Sequence, residues 1–227
     1  MRVLRGRASD HERDYERTRA MVAEVAATDE SALRVWTPHR QVAFGRRDRR
    51  ADGYDRARVA ANERGYAVLE RAVGGRAVAY TGETAVFALA EPSADGREGI
   101  GQRYDRVSGA VRRALATGGG DARDGAPPDS FCPGSHSLQA DGKLAGLAQR
   151  VRADVALTAG IVVVSDHAAI ASVLDPVYDA LDVPFDPDSV GSVARAGGET
   201  AGVLDALAAE LVDARPVTRR ERVGKVE

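Results

Sequence analysis

The stretch "HSLQADGKLAGLAQRVRADVALTAGIVVV" (136–164) decides how this chain folds. Its apolar runs are short and are broken by turn residues. Residues 136–140 and 143–150 read as two strands joined at Asp141-Gly142, a dipeptide suited to a two-residue hairpin turn. A third strand follows at 154–164 and ends in "GIVVV", a run rich in β-branched residues. Hairpin connections place neighbouring strands antiparallel. The stretch therefore predicts a largely antiparallel sheet.

Outward from it, strands and helices alternate irregularly. Upstream, "GIGQRYDRVSGAVRRALATGG" (99–119) predicts a helix with Tyr104, Val107, Val111 and Leu115 on one face. The Gly/Pro/Asp-rich segment 120–135 between helix and hairpin reads as a loop with little to bury. Further back lie predicted strands at 67–71, 76–80 and 84–90, separated by glycine turns. A helix is predicted over 55–65, strands over 32–36 and 41–45, and a helix over 10–27 capped by Asp10. Downstream, short helices are predicted at 167–174 and near 176–181, and a last helix at 199–213. The expected class is α+β, a mixed and mostly antiparallel sheet with flanking helices. A single domain is expected over 1–215, with 216–227 a frayed tail.

Composition narrows the function. The 227 residues carry 32 Lys plus Arg against 34 Asp plus Glu, a net charge of -2. That balance does not suit a nucleic-acid binder. No apolar run is long enough to span a bilayer, so no membrane partner is expected. With one cysteine, Cys132, there is no internal disulfide, and a cytoplasmic location is expected. His11, His39 and His167 adjoin no cluster at ligand spacing, so no protein metal site is expected.

Two places have the residue types for chemistry. In "ERAVGGRAVAYTG" (70–82), paired glycines allow close backbone approach to a ligand, and Arg71 offers a planar fork for a carboxylate or phosphate. The same residues also suit a tight turn with a surface arginine. The second place is Lys143. Only Lys143 and Lys225 are lysines; every other basic residue is arginine. A compact ammonium fits against a small reacting carbonyl where a guanidinium would crowd it, although lysines near turns are also common on surfaces.

The order of "PHRQVAFGRR", "RAVGGRAV", "DGKLAGLAQR" and "GIVVV" resembles the lipoate–protein ligase and octanoyltransferase family, related in fold to biotin–protein ligases. The resemblance covers about residues 30–195 and includes "DSVGSVAR" (188–195). The family's lysine strand is matched by Gly142, Lys143, Leu144, Gly146, Ala148, Gln149 and Arg150, with one residue fewer before the lysine. Its glycine motif is matched by Arg71, Gly74, Gly75, Ala77 and Val78. The resemblance implies that Lys143 contacts the acyl carboxylate and the phosphate of an acyl-adenylate. It also implies that Arg71, Gly74, Gly75, Arg76, Ala77, Val78, Gly146 and Ala148 form the substrate site. An apolar slot lined by Val78, Leu144 and Ala148 is expected for the acyl tail.

The departures from the motif bear on mechanism. Val73 stands for the family's serine, Arg76 for its third glycine, and Tyr80-Thr81 for its His-Asp pair. Cys132, in "DSFCPGSHS", resembles the nucleophile of the cysteine-dependent octanoyltransferases, with His136 a candidate base. The resemblance implies three functions. The first is a ligase that uses ATP and Mg2+ to attach lipoate to a carrier lysine. The second is a transferase that takes the acyl group from an octanoyl thioester onto Cys132. The third is a non-catalytic lipoyl-binding module. The implied partners are a lipoyl carrier domain, of the 2-oxoacid dehydrogenase E2 or glycine cleavage H protein type, and a separate accessory subunit.

Overall fold

The computed structural model describes residues 1–71, 75–93, 99–152, 154–213 and 215–224. The strands are β1 (Arg2–Arg5), β2 (Ala32–Trp36), β3 (Gln41–Phe44), β4 (Ala67–Glu70), β5 (Val78–Tyr80), β6 (Thr84–Pro92), β7 (Arg123–Asp124), β8 (Ser137–Ala140), β9 (Gly142–Val151), β10 (Val155–Val163) and β11 (Arg219–Arg222). The helices are α1 (His11–Thr28), α2 (Tyr54–Glu63), α3 (Ile100–Thr117), α4 (His167–Ala180) and α5 (Val203–Val212). The large sheet runs β11-β1-β2-β6-β10-β9-β8-β7, and a small one runs β4-β3-β5. All pairings from β2 to β7 are antiparallel; β1 pairs in parallel with both β2 and β11, and β3 with β4.

Strand alternation splits the core. Leu33, Val35, Phe87 and Leu89 face α3 and α5, meeting Val107, Val111, Leu115, Leu207 and Leu211. Ala32, Ala88 and Ala90 face the other way, against Met21 and Val25 of α1. Further along that second face, Ile161 and Val163 meet the small sheet with α2 and α4. Antiparallel sheets commonly bury one face and wet the other; here both are covered, except where the α1 and small-sheet clusters part.

The sequence expectations hold for most elements, and the exceptions have physical causes. The tail expected to fray supplies β11, which pairs with an N-terminal strand that has no periodic signal of its own. Both are four-residue strands whose only stabilisation is tertiary. The two short helices predicted around Pro176 are one helix, α4. Proline costs an internal hydrogen bond, but Ile170, Val173, Leu174, Val177 and Tyr178 are all buried on one face. The loop at 120–135 buries more than expected, since Phe131 is only 1% exposed.

Candidate active site

Lys143 sits at a fault in the β8–β9 ladder. Gln139 pairs with Lys143 and Leu138 with Ala145, so Leu144 has no partner across the hairpin. This is a β-bulge, a device that re-aims side chains next to functional sites. Because of it, Leu144 and Ala145 both enter the α3/α5 core. Lys143 and Gly146 share the opposite face: a Cβ on Gly146 would lie 3.5 Å from the lysine Cε. The expected acyl slot is corrected accordingly. Leu144 points through the sheet, away from Lys143, and Val78 is buried in the small-sheet core. Of the three residues expected to line it, only Ala148 remains part-exposed on the lysine face.

The lysine is 1% exposed. Its Nζ donates to the carbonyls of Phe131 at 2.9 Å and Cys132 at 2.7 Å, and lies 4.9 Å from the Phe131 ring centroid. Burial lowers its pKa to about 8, opposed by the Cys132 sulfur. The segment "DSVGSVAR" closes the other side: the Gly191 N–H donates to the Lys143 carbonyl at 2.9 Å. The lysine is thus not a surface residue near a turn.

The glycine turn meets the lysine through Cys132. The Cys132 sulfur accepts from Arg71 Nη2 at 3.2 Å and from the Arg76 backbone N–H at 3.3 Å. Arg71 Nη2 also donates to the Arg76 carbonyl. Burial works against the Arg71 charge, while Cys132 and Tyr80 favour it, and the guanidinium ends above its ordinary pKa. Gly75 has φ +98°, and a Cβ there would fall 2.6 Å from the cysteine sulfur and 2.8 Å from Arg71 Nη2. No other residue type allows so close an approach. Gly74 lies outside the described residues. Ala77 is buried, and its carbonyl accepts from the Tyr178 hydroxyl at 3.0 Å.

Cys132 itself is in the left-handed region, φ +42°. Its N–H donates to the Tyr178 hydroxyl at 2.6 Å. His136, the expected base, is engaged with another ring. Its imidazole stacks on Tyr104, with centroids 3.5 Å apart and planes 7° from parallel.

Lys143, Cys132, Arg71, Gly75, Arg76 and Ala77 therefore converge. Three contributors had not been singled out. Asp48, fully buried, accepts from the Gly45 N–H at 2.8 Å and pairs with Arg76 at 3.3 Å. The lone acid in "GRRDRR" was its available signal. Phe131 adjoins Cys132 in sequence. Tyr178 left no local sign, since its role depends on how α4 packs. Among the described residues, no three His, Cys, Asp or Glu side chains could together hold a metal ion.

From Lys143 a strip of small residues crosses the sheet. Ala148 is opposite Ala159, Ala159 opposite Ala88, and Ala88 opposite Arg34. Beside that row runs Gly146, Ile161, Val86 and Trp36 in the same register. Gly146, Ala148 and Ala159 are part-exposed, whereas Ala88 is covered by α1. Arg34 closes the far end: it is fully buried, paired with Asp14, and 4.2 Å from the Trp36 ring centroid.

Residues 12–206 match the lipoyl protein ligase A/B catalytic domain. This chain belongs to that family. Within it, the chain is 30% identical over 156 residues to the octanoyl-[GcvH]:protein N-octanoyltransferase of Geobacillus kaustophilus, covering 68% of this chain and 55% of the relative. It is 31% identical over 156 residues to the enzyme of the same name from Exiguobacterium sibiricum, covering 68% and 57%. The chain thus spans about half the length of the curated relatives it matches. Among solved family structures, a lipoate-protein ligase A bound with ATP superposes with TM-score 0.75 at 20% identity, covering all of this chain and 89% of the other. The bipartite lipoate protein ligase of Thermoplasma acidophilum gives TM-score 0.68 at 18% identity, covering 100% and 87%. At these identities the likeness establishes the ligase fold, a mixed sheet with flanking helices. No helix among the described residues is long and apolar enough to cross a membrane.

Proposed function

We propose that this protein is a cysteine-dependent acyltransferase that moves an octanoyl or lipoyl group onto a lysine of a lipoyl carrier domain, with Cys132 as the transient acyl acceptor. The observation that carries this reading is the place of the Cys132 sulfur, held by Arg71 and the Arg76 N–H at the glycine turn. In a ligase those donors would serve the substrate. The relatives named as octanoyl-[GcvH]:protein N-octanoyltransferases favour the same reading.

The sulfur, as thiolate, attacks the acyl carbonyl carbon. The C–S bond forms, the bond to the donor carrier breaks, and the leaving group takes a proton. The neutral amine of the acceptor lysine then attacks the thioester; the C–N bond forms, the nitrogen gives up one proton to solvent, the C–S bond breaks, and the sulfur leaves as thiolate, ready for the next cycle. Negative charge builds on the carbonyl oxygen in both steps. The buried Nε of Arg71, without a partner among the described residues, supports Arg71 as the group that answers it. Oriented donors of this kind stabilise a developing oxyanion without reorganising. The tail lies along Gly146, Ala148 and Ala159.

The ATP-dependent ligase, first among the sequence expectations, fits the residues less well. Arg76 replaces a glycine of the turn and its side chain is tied to buried Asp48, which puts a guanidinium where the family motif has no side chain.

The test is to incubate the chain with an octanoylated donor carrier and map the product by mass spectrometry. One octanoyl group on Cys132, absent from Cys132→Ser, is expected, with no ATP–pyrophosphate exchange on adding octanoate or lipoate. Exchange without labelling of Cys132 would reinstate the ligase.

A further inference from the structure

We propose that Tyr178 is a positioning residue that fixes the Cys132 thiol by holding the cysteine's own backbone. The proposal rests on the reading of Cys132 as acyl acceptor, but its test reads the thiol directly.

Cys132 is held at both ends. Its N–H donates to the Tyr178 hydroxyl at 2.6 Å, and its carbonyl accepts from Lys143 Nζ at 2.7 Å. Between them the residue takes a positive φ of 42°, which is costly for a side chain with a Cβ and persists only where the surroundings enforce it. The Tyr178 hydroxyl then donates to the Ala77 carbonyl at 3.0 Å, in the segment that leads from the glycine turn into β5. One hydroxyl therefore ties the cysteine loop to the turn whose Arg76 N–H meets the sulfur at 3.3 Å.

Tyr178 suits this task. Its ring is fully buried in the small-sheet core and packs on Phe185 with centroids 4.9 Å apart. Burial keeps its hydroxyl protonated far above the usual range, so it accepts and donates one bond each at any physiological pH. Without the hydroxyl, the Cys132 N–H would be left unpaired, and the loop could relax only by withdrawing the sulfur from Arg71 and Arg76.

The experiment compares Tyr178→Phe with Phe185→Leu, which disturbs the same packing but leaves the hydroxyl in place. Iodoacetamide alkylation of Cys132 is followed across pH, together with kcat and KM for octanoyl transfer. Loss of one such hydrogen bond corresponds to about a tenfold effect. In Tyr178→Phe, alkylation at neutral pH is expected to slow about tenfold. Its kcat should fall at least as far with KM for the acyl donor unchanged. Phe185→Leu should leave the alkylation profile in place even if its melting temperature falls as much. Matching profiles for wild type and Tyr178→Phe, or equal displacement in both variants, would overturn the proposal. If Tyr178→Phe does not fold, difluorotyrosine at position 178 replaces it; a weaker acceptor of nearly the same size must still displace the profile. Alkylation reports on position even if the octanoyl group never reaches Cys132, so failure of the transferase reading and failure of this one remain distinct.

Discussion

A Cβ on Gly45 would fall 1.9 Å from the carbonyl oxygen of Gly75; the loop after β3 and the glycine turn meet backbone against backbone. The two glycines are needed for different reasons, and their substitutions should separate. Gly45→Ala collides with main chain that cannot move aside, and should cost about 2 kcal/mol or more of stability. Gly75→Ala meets side-chain atoms of Cys132 and Arg71 and imposes a strained φ, so activity should fall further than stability. Urea unfolding alongside octanoyl transfer for both variants checks this; equal losses of stability and activity in each would refute it.

Lys143→Arg and Lys143→Ala should both be severe. The ammonium is enclosed by two carbonyls and the Phe131 ring, and a guanidinium is too large for that enclosure. Turnover should drop about 100-fold, as when a reacting group is displaced by about 1 Å, because Nζ holds the Cys132 carbonyl. A lysine beside a turn would be expected to matter little for stability. Since this one is buried, Lys143→Ala should cost about 2–4 kcal/mol, from a cavity and two unpaired carbonyls. Melting curves with turnover numbers decide the matter, and a fully active Lys143→Arg protein would remove the lysine from the mechanism.

Stability should rise with pH in an alkaline window. The Lys143 pKa is lowered in the fold to about 8 from an unfolded value of 10.5. Below about 8 the folded protein carries the full cost of the buried charge. Between 8 and 10.5 the unfolded chain binds more protons, so stability increases with pH. The relief is on the order of 3 kcal/mol at about 1.4 kcal/mol per pH unit. Urea unfolding at pH 7.5, 9 and 10 should show the rise in wild type relative to Lys143→Met, which lacks the titrating group. Parallel curves for the two proteins would contradict it.

The small-residue strip predicts chain-length selectivity. Ala159→Leu places bulk on the part-exposed floor between Ala148 and Ala88. Octanoyl transfer should fall at least tenfold, while a butyryl donor that stops short of Ala159 keeps most of its rate. Competition between the two donors measures the ratio directly. Equal loss with both would show that the tail runs elsewhere.

The fold was largely legible because its hairpins and helices carry local signals: Asp141-Gly142 between two apolar runs, and the apolar face of α3. The exceptions are elements stabilised from a distance. β1 and β11 have little pattern until they pair, and α4 passes through Pro176 because its buried face outweighs one lost hydrogen bond. In the site, Lys143 stood out as a lysine in an arginine-rich chain, and Arg71 and Gly75 as parts of a motif. A period of two along β9 puts Lys143 and Gly146 on opposite faces, and the bulge at Leu144 reverses that. Tyr178 lies 46 residues from Cys132 and no spacing connects them. His136 invited a catalytic role by proximity in sequence, whereas its ring is used against Tyr104.

The pairing of Arg2 with Arg219 has a kinetic consequence. Closing a loop of that length costs entropy that β11 repays poorly, because its four side chains, Arg219 to Arg222, are charged and largely exposed. The hairpins from β8 to β10 need no such closure and can form early. The β1–β11 seam should therefore form after the rest of the sheet and open before it, with amides that exchange with solvent faster than those of β6 and β10. Mutations in the seam should speed unfolding with little effect on refolding, so the edge would govern how long the native state persists without governing how it is reached.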